Sequence, residues 1–292
     1  MGRLFGLLLA LSACKVQLSD GADGGIRSSD MGVSDATMDA TMLGPWGTPM
    51  KHPSASNDML GEDDGSLRYD GLEMIFSIQD AADNNLKDLY TTSRASLADA
   101  WTPAEKLSFS VTGASDETPR FSPDGLTLYF ASGRAGGAGD LDIYSVSRLS
   151  LDAAWSAPMP VLGPNSTALE KWYTPCANTY LVIVGGDIAE GTIGAAPTIS
   201  TELTDMATNE TGPFLTPDCL TTYFASPRGA PPTKIYMSTR ASISSPWSAP
   251  TVFTEFSAIG GDQEDPWMSP DMTIFSFASN VDGTKDQYLV TR

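Results

Sequence analysis

The chain has 292 residues, of which 41% are hydrophobic, so it is long and apolar enough to bury a sizeable core. Asp and Glu number 36 against 17 Lys and Arg, which gives a formal net charge of -19. Such a charge repels phosphate backbones and anionic lipid headgroups, and it argues against a nucleic-acid partner.

The N-terminus carries the pattern of a targeting signal. A short basic start precedes an apolar run at residues 4–11, which is too short to span a bilayer and is typical of a signal-peptide core. The run ends in Leu11-Ser12-Ala13-Cys14, which resembles the bacterial lipobox. The resemblance implies that residues 1–13 are a lipoprotein signal peptide and that acyl chains on Cys14 hold the mature protein on a membrane. In some bacteria an Asp directly after the lipidated Cys retains lipoproteins at the inner membrane. This chain has Lys15 at that position, which favours the outer membrane.

Residues 14–44 differ in composition from the rest of the chain. After Cys14 they are rich in Ser, Asp, Gly, Ala, Thr and Met, and they contain no aromatic residue. Such a stretch cannot bury enough apolar surface to offset its ordering entropy. We therefore expect a lipidated cysteine followed by a disordered acidic tether.

Residues 45–292 contain an internal repeat. Its turn marker recurs with spacings of 54, 53, 41 and 53 residues, at Asp70, Asp124, Ala177, Asp218 and Asp271. A second register places a Trp seven residues after an Arg in three units, at Arg94 and Trp101, Arg148 and Trp155, and Arg240 and Trp247. Because the two registers coincide, the sequence predicts five structural units.

Each unit has the chemistry of short strands. Aromatic and aliphatic runs such as Leu128-Tyr-Phe-Ala alternate with turn clusters such as Pro-Asp-Gly, and helical periodicity is absent. Four antiparallel strands repeated around an axis describe a β-propeller blade. The Phe121-Ser-Pro-Asp-Gly125 turn, the Asp142-Ile-Tyr144 strand and the Gly-rich stretch Gly133–Gly139 resemble the TolB-like, WD-repeat-like propeller repeat of bacterial envelope proteins. The resemblance implies an all-β, five-bladed propeller over residues 45–292.

The two ends of the repeat region complement each other. The last unit stops at Arg292, before the Trp-x-x-Pro segment that follows the equivalent arginines, whereas Pro45-Trp46-Gly-Thr-Pro49 supplies such a segment near the N-terminus. We therefore expect the N-terminal segment to form the outer strand of the last blade and close the ring. The third unit, residues 170–208, is short and irregular, which leaves an open or six-bladed assembly as the alternative.

The sequence offers little support for nucleophilic or metal catalysis. His52 is the only histidine, it lies in a loop-like Lys-His-Pro context where we expect it to be exposed, and no nucleophile elbow accompanies it. One His and two cysteines beyond Cys14 give no zinc-ligand cluster. We predict no catalytic residue and no resident cofactor.

One set of acidic residues recurs shortly before the turns, at the expected start of each innermost strand: Asp63, Glu117, Glu170, Glu210 and Glu264. Asp63, Glu117 and Glu264 align in register, and the other two lie one position off. By blade geometry these side chains would surround one mouth of the central channel, where like charges raise pKa values unless a cation or sugar hydroxyls satisfy them. Two interpretations stand: a site for a cation or a hydroxyl- or amino-bearing ligand, or carboxylates that accept backbone amides at strand entry.

Other repeated or paired residues suggest structural roles. Cys176 and Cys219 lie in corresponding turns of neighbouring units, so a disulfide is open to them if their Cα atoms come within about 7 Å. Tryptophans in the Arg and Trp register suit packing between blades.

These observations predict a lipid-anchored propeller of the bacterial cell envelope that binds or scaffolds a protein or glycan and is not an enzyme. Its predicted partners are the membrane, through Cys14, and an envelope protein or glycan. The alternative is a glycoside hydrolase or lyase, because five-bladed propellers host such enzymes with carboxylates at the axis. A plain structural role, such as that of a surface spacer, is the third option.

Overall fold

A computed structural model describes residues 43–56, 61–80, 86–256 and 258–292. The predicted signal peptide, the lipidation site at Cys14 and nearly all of the predicted tether lie outside these residues. Among the described residues, none forms a helix long and apolar enough to cross a membrane.

Twenty short β-strands account for the regular structure of the described residues, together with a 3-10 turn at Thr254–Phe256. In chain order the strands are β1 (Met50–Lys51), β2 (Glu62–Leu67), β3 (Glu73–Asp80), β4 (Leu86–Ser93), β5 (Glu105–Lys106), β6 (Asp116–Phe121), β7 (Thr127–Ser132), β8 (Asp142–Ser147), β9 (Met159–Pro160), β10 (Glu170–Cys176), β11 (Thr179–Val184), β12 (Asp187–Thr192), β13 (Thr198–Ile199), β14 (Thr211–Leu215), β15 (Thr221–Ser226), β16 (Lys234–Thr239), β17 (Thr251–Val252), β18 (Gln263–Met268), β19 (Ile274–Ser279) and β20 (Asp286–Thr291).

The strands form five antiparallel sheets of four strands, so the predicted five-bladed propeller is confirmed. Blades 1 to 4 each use four consecutive strands, from β2–β5 to β14–β17, and blade 5 has the order β1-β20-β19-β18. The first strands of the blades pack side by side, and β18 of blade 5 contacts β2 of blade 1. These five innermost strands therefore surround a common axis, and no open or six-bladed assembly forms.

The closing strand lies where the sequence predicts it. In blade 5, Met50 pairs with Leu289 and Lys51 pairs with Tyr288, so an N-terminal strand completes a sheet made by the C-terminal residues. Just before it, the Gly47 amide donates to the Thr291 carbonyl at 2.8 Å. Closure of the ring removes two exposed sheet edges.

In blades 1, 2, 4 and 5 one arginine contacts both the turn that marks the repeat and the tryptophan of the outer segment. Its guanidinium carbon lies 4.1 to 4.4 Å from the centroid of a Trp ring, in the pairs Arg94 and Trp101, Arg148 and Trp155, Arg240 and Trp247, and Arg292 and Trp46. Its Nε also donates, at 2.7 to 2.9 Å, to the carbonyl of a turn residue in the same blade: Gly71, Gly125, Cys219 or Met272. The arginine therefore ties the turn between the first two strands to the outer segment of the blade.

Blade 3 reaches four strands by a different turn. Its first two strands are joined by the two-residue hairpin Ala177-Asn178, with Cys176 paired to Thr179, whereas blade 2 uses the five residues 122–126. Ala177 has a φ of 50° and so occupies the left-handed position that Gly125 holds in blade 2. The shorter turn contributes to the shorter third unit.

Three further residues of the sequence analysis have defined places. The structure joins Cys176 and Cys219 in a disulfide, with Cα atoms 5.7 Å apart, which links blade 3 to blade 4. The expectation for His52 is wrong, because its side chain is fully buried. The ring lies against Trp101 with centroids 4.5 Å apart, and Nδ1 accepts the amides of Ser54 and Ala55.

Candidate binding site at the start of the innermost strands

Around the axis, each blade has three consecutive residues at the start of its innermost strand or, for Glu210 in blade 4, directly before it, and we call these three residues the entry triplet. The five triplets are Glu62-Asp63-Asp64, Asp116-Glu117-Thr118, Glu170-Lys171-Trp172, Glu210-Thr211-Gly212 and Gln263-Glu264-Asp265. In each triplet the third residue has a left-handed φ between 50° and 59°, and the pairing with the second strand shifts register just after it. In blade 1 this bulge lets the consecutive side chains of Asp63 and Asp64 contact the same Lys87 ammonium, at 2.8 and 2.9 Å.

Three of the predicted axial carboxylates do not stand alone but alternate with lysines. The Lys285 ammonium lies 2.5 Å from Glu264 and 3.6 Å from Asp63. The Lys87 ammonium lies 2.8 Å from Asp63 and 3.5 Å from Glu117. We call this arrangement the charged chain, and it runs over blades 5, 1 and 2.

The charged chain ends on blade 3. The Lys171 ammonium lies 2.9 Å from a Glu117 carboxylate oxygen and 5.6 Å from the centroid of the Trp172 ring. These side chains are mostly buried. The side chain of Lys171 is 20% exposed, and that of Glu117 is 6% exposed. An acidic ring at this position is thus largely neutralised by cations from the same chain.

The two predicted carboxylates that lie one position off have other partners. Glu170 accepts the Ser166 amide at 3.1 Å and the Ser166 hydroxyl. One oxygen of Glu210 accepts from Arg228 at 2.8 Å, from the Ser226 hydroxyl at 3.1 Å and from the Asp205 amide at 3.3 Å. Both residues hold first positions of entry triplets and bind the loops that precede them, and the second oxygen of Glu210 has no partner in the described part of the chain.

Two buried aspartates at the bulge positions escaped the sequence analysis. Asp64 and Asp265 are each 1% exposed, and the Asp64 amide donates to an Asp265 carboxylate oxygen at 3.2 Å. Each keeps one oxygen without a hydrogen-bond partner among the described residues. Arg120, 2% exposed, supplies positive charge nearby but hydrogen-bonds through Nη1 to the backbone oxygens of Gly65 and Pro119.

Burial separates the pKa values of these carboxyl groups. Burial raises the pKa of Asp63 to about 6, and the neighbouring charge of Asp64 acts in the same direction. The pKa of Asp64 moves the other way and lies below its ordinary value, because attraction to Lys87 and hydrogen bonds from Asp63 and Ser77 outweigh burial. Burial and the surrounding carboxylates raise the pKa of Asp265 well above its ordinary value. Asp63 and Asp265 therefore favour the protonated form more strongly than Asp64 does.

The same three aspartates have the spacing of metal ligands. One carboxylate oxygen from each of Asp63, Asp64 and Asp265 lies within 4.8 Å of the others. However, the Lys87 ammonium already lies 2.8 Å from Asp63 and 2.9 Å from Asp64. This side-chain cation neutralises the negative charge that a metal ion would otherwise neutralise. The donor set therefore does not require an added cation.

A cavity of about 360 Å³ opens beside the end of the charged chain, between blades 3 and 4. We call it the blade 3/4 cavity, and its walls are formed by Leu169, Lys171, Trp172, Ile183, Gly185, Gly186, Asn209, Glu210 and Thr211. Three of these side chains carry a buried polar atom without a hydrogen-bond partner in the described structure: Trp172 Nε1, Glu210 Oε2 and Thr211 Oγ1. Sequence analysis singled out Glu210 alone, because nothing in a linear pattern marks the other two as neighbours.

The comparisons with known proteins show a shared fold. No protein-family model and no curated protein matches the chain. Among solved structures, an endo-arabinase from Bacteroides thetaiotaomicron matches with a TM-score of 0.56 and 13% identity, over 80% of this chain and 94% of that one. The catalytic domain of a GH62 α-L-arabinofuranosidase from Coprinopsis cinerea matches with a TM-score of 0.54 and 11% identity, over 85% and 96%.

The chain is also similar to TolB structures. A putative TolB from Agrobacterium tumefaciens matches with a TM-score of 0.46 and 19% identity, over 75% of this chain and 69% of that one. At these identities the likenesses concern the fold alone. What the protein does has to be argued from its own residues.

Proposed function

We propose that the protein is a non-catalytic binding module of the bacterial cell envelope, anchored to a membrane through lipid on Cys14. Its ligand is an envelope protein or glycan, and its binding surface is the axial end of the blades where the entry triplets lie. Closure of the ring supports this role because it fixes those side chains on a rigid scaffold.

The observation that carries the non-catalytic proposal is the state of the axial carboxylates. A glycosidase needs two carboxyl groups that reach its substrate, one as acid and one as base or nucleophile. Here Asp64 and Asp265 are each 1% exposed, and Asp63 and Glu117 are held by Lys87. A glycosidic bond could contact these carboxyl groups only after the ion pairs separate. Separation of a buried ion pair is costly, since loss of one partner destabilises a protein by about 3–5 kcal/mol.

One observation favours a glycoside hydrolase as the second candidate. The pKa of Asp63 is raised to about 6 while that of the adjacent Asp64 is lowered, and such a division between neighbouring carboxyl groups is how many enzymes obtain an acid and a base. The fold shared with arabinan-related hydrolases is compatible with it. Burial of the pair weighs against it, because no solvent-accessible water or substrate oxygen would lie between the two groups.

Partner capture tests the binding surface. Detergent-solubilised envelope is passed over the immobilised full-length protein, and we expect a protein or glycan to be retained. The double variant Glu117→Gln with Lys171→Met removes both members of an ion pair, so it leaves fewer unpaired charges than either single change. It should lose the partner, whereas Leu149→Ser, at a residue that is 98% exposed and lies outside the site, should keep it. Equal retention by the double variant would refute the proposed surface.

The anchor is tested separately. Metabolic labelling with a palmitate analogue should label the wild-type protein and leave Cys14→Ser unlabelled, and the variant should leave the membrane fraction. A labelled or membrane-bound Cys14→Ser protein would refute the lipid anchor without affecting the proposed binding surface. Fractionation of the two membranes then tests the outer-membrane location that Lys15 favours.

A further inference from the structure

We propose that the groove between blades 5 and 1 is a binding site for an apolar carboxylic acid, whose carboxylate pairs with Arg94 and whose apolar body fills a cavity beside it. The groove lies among the outer strands of the blades rather than at the axis, so the site is independent of the proposed axial binding surface. Equivalent grooves elsewhere in this chain define its chemistry.

In two of these grooves, the arginine that stacks on a Trp ring also binds a glutamate of the preceding blade. Arg148 of blade 2 donates two hydrogen bonds to Glu73 of blade 1, at 3.2 and 2.7 Å. Arg240 of blade 4 lies 2.6 Å from Glu190 of blade 3. A carboxylate from the neighbouring blade is therefore a recurring partner of the stacked guanidinium.

In the groove between blades 5 and 1, both glutamate positions are apolar. Ile274 begins the second strand of blade 5 as Glu73 does in blade 1, and each pairs with the last residue of the third strand. Leu289 is the fourth residue of the third strand, as Glu190 is in blade 3, and each pairs with the third residue of the second strand. Arg94 thus meets Ile and Leu where the other two arginines meet a carboxylate.

The guanidinium of Arg94 retains the capacity to bind an anion. Its Nε donates to the Gly71 carbonyl and its Nη1 to the Leu97 carbonyl, whereas its Nη2 hydrogen-bonds to no described residue. This Nη2 is open to solvent, in contrast to the unpartnered and buried Nη2 of Arg120. Burial lowers the pKa of Arg94, because no nearby carboxylate opposes the effect. A carboxylate that enters from solvent can therefore reach this group and stabilise its charge.

A cavity of about 400 Å³ lies beside this guanidinium, and we call it the blade 5/1 cavity. Arg94 lines it together with Trp101, on whose ring the guanidinium stacks at 4.4 Å. A Cβ on Gly71 would lie 3.6 Å from Arg94 Nη2 and 3.0 Å from Ile274 Cδ1, so Nη2 lies near a second wall of the cavity. The volume lies within the usual range for small-molecule sites, about 300–1,000 Å³. Apolar wall residues are Met50, Trp101, Ile274, Leu289 and Val290.

The remaining charges of the cavity leave Arg94 as the group that selects the ligand. The Lys51 ammonium lies 2.8 Å from Asp286, and Asp99 is exposed to water and accepts the Ser96 hydroxyl at 2.7 Å. A guanidinium beside apolar walls favours an anion with an apolar body over a cation or a sugar. A carboxylate fits better than a phosphate, because it reproduces the group that Arg148 and Arg240 bind.

Calorimetric titration of the full-length protein in detergent tests the inference, at about 0.15 M salt, where the charge of the rest of the molecule is screened beyond about 8 Å. The probes are hexanoate, octanoate and 3-phenylpropionate, with the amide of each acid as its uncharged counterpart and hexyl phosphate as the alternative anion. We expect saturable binding of at least one carboxylate. Its amide should bind at least tenfold more weakly, because the charge-assisted hydrogen bonds to Arg94 are lost.

Leu289→Glu supplies the carboxylate that Glu190 provides in the groove between blades 3 and 4. Its side chain should pair with Arg94 and weaken binding of the carboxylate probe at least tenfold. Leu289→Gln is the matched control, because it adds a polar side chain of the same size without the charge, and it should bind within about threefold of the wild type. Arg94→Gln should weaken binding as Leu289→Glu does, and circular dichroism checks the fold of each variant.

Each contrary outcome overturns the inference. Absence of saturable binding to every carboxylate probe does so, and so does equal affinity for an acid and its amide. Undiminished binding by Leu289→Glu would place the probe outside the blade 5/1 cavity, and tighter binding of hexyl phosphate than of hexanoate would contradict the ligand class. None of these results bears on partner capture by the entry triplets, which the Glu117→Gln and Lys171→Met double variant tests separately.

Discussion

The guanidinium of Arg292 lies over the indole ring of Trp46, with the guanidinium carbon 4.2 Å from the ring centroid. The C-terminal residue thus makes, with the N-terminal segment, the contact that Arg148 makes with Trp155 inside one stretch of chain. Trp46 also packs edge-on against Phe256 and Phe275, with centroids 5.8 and 6.0 Å away. Ring closure therefore uses the same interaction that fastens the outer segment in other blades.

Removal of this contact should destabilise the whole ring. We expect Trp46→Ala to lower the free energy of unfolding by about 3 kcal/mol, because the side chain leaves both an aromatic cluster and a cation. Urea denaturation followed by circular dichroism measures the change. A double-mutant cycle with Arg292→Ala should give a coupling of about 0.5–2 kcal/mol. Additive effects of the two substitutions would contradict the direct interaction, and Leu149→Ala, at an exposed loop residue, serves as the control.

The bulge of blade 4 should not tolerate a side chain. A Cβ on Gly212 would lie 2.7 Å from the Asp265 Cα and 2.9 Å from its backbone nitrogen. Gly185 has a similar φ, +64° against +59°, but a Cβ there would meet no atom within 4 Å. We therefore expect Gly212→Ala to cost about 1–3 kcal/mol more than Gly185→Ala, since backbone strain is common to both and crowding is not. Equal melting temperatures for the two variants would show that the innermost strands of blades 4 and 5 are not in such close contact.

His52 should make folding stability depend on pH. Burial, with a smaller effect from Arg94, lowers its pKa from 6.5 to about 3. A lowered folded-state pKa means that the unfolded chain binds a proton first, so the stabilisation present above pH 6.5 is lost as the pH falls toward 3. The free energy of unfolding should fall by up to about 1.4 kcal/mol per pH unit over this window.

The contribution of His52 can be isolated with His52→Asn, whose amide oxygen can still accept the amides that Nδ1 accepts. Other groups, including Asp63, titrate in both proteins, and their contributions cancel in the difference. Between pH 6.5 and 5 we expect the wild type to lose more stability than the variant does. Parallel curves for the two proteins in this range would contradict a buried, neutral His52.

Lys87 should be the most sensitive member of the charged chain. It lies within 3.5 Å of Asp63, Asp64 and Glu117, and Lys87→Met would leave these buried carboxylates without their shared cation. We expect a loss of about 3 kcal/mol in unfolding free energy at neutral pH, and a smaller loss near pH 4, because Asp63, whose pKa burial raises to about 6, can take up a proton there. Lys106→Met provides the comparison, because Lys106 pairs with Asp88 at a more exposed position and should cost at most about 1 kcal/mol. A pH-independent loss would contradict the electrostatic explanation.

The sequence was sufficient for the fold because its repeats encode local contacts. The turn residue and the Arg and Trp register recur together because one guanidinium binds both the turn carbonyl and the indole ring, as Arg148 does with Gly125 and Trp155. The Trp46 segment could then be assigned to the last blade. Blade 3 was harder to predict because its two-residue hairpin at Ala177 and Asn178 replaces the five-residue turn.

The candidate site was less predictable from sequence. Acidic residues near strand starts were visible, but their cations come from other strands, and Lys171 lies 54 positions from Glu117. Asp64 and Asp265 look like ordinary members of strands until a left-handed φ places them at a bulge. Partners of this kind depend on the distance between blades, which no spacing in the sequence specifies.

The most direct test of the central claim measures binding and turnover on one envelope glycan and protein fraction. The full-length protein in detergent is incubated with the fraction, retained material is identified, and new reducing ends or shortened products are counted over time. The account predicts saturable retention that depends on Glu117 and Lys171, with no products above those of a protein-free sample. Time-dependent product formation that Asp63→Asn abolishes in a folded variant would contradict it and establish an enzyme.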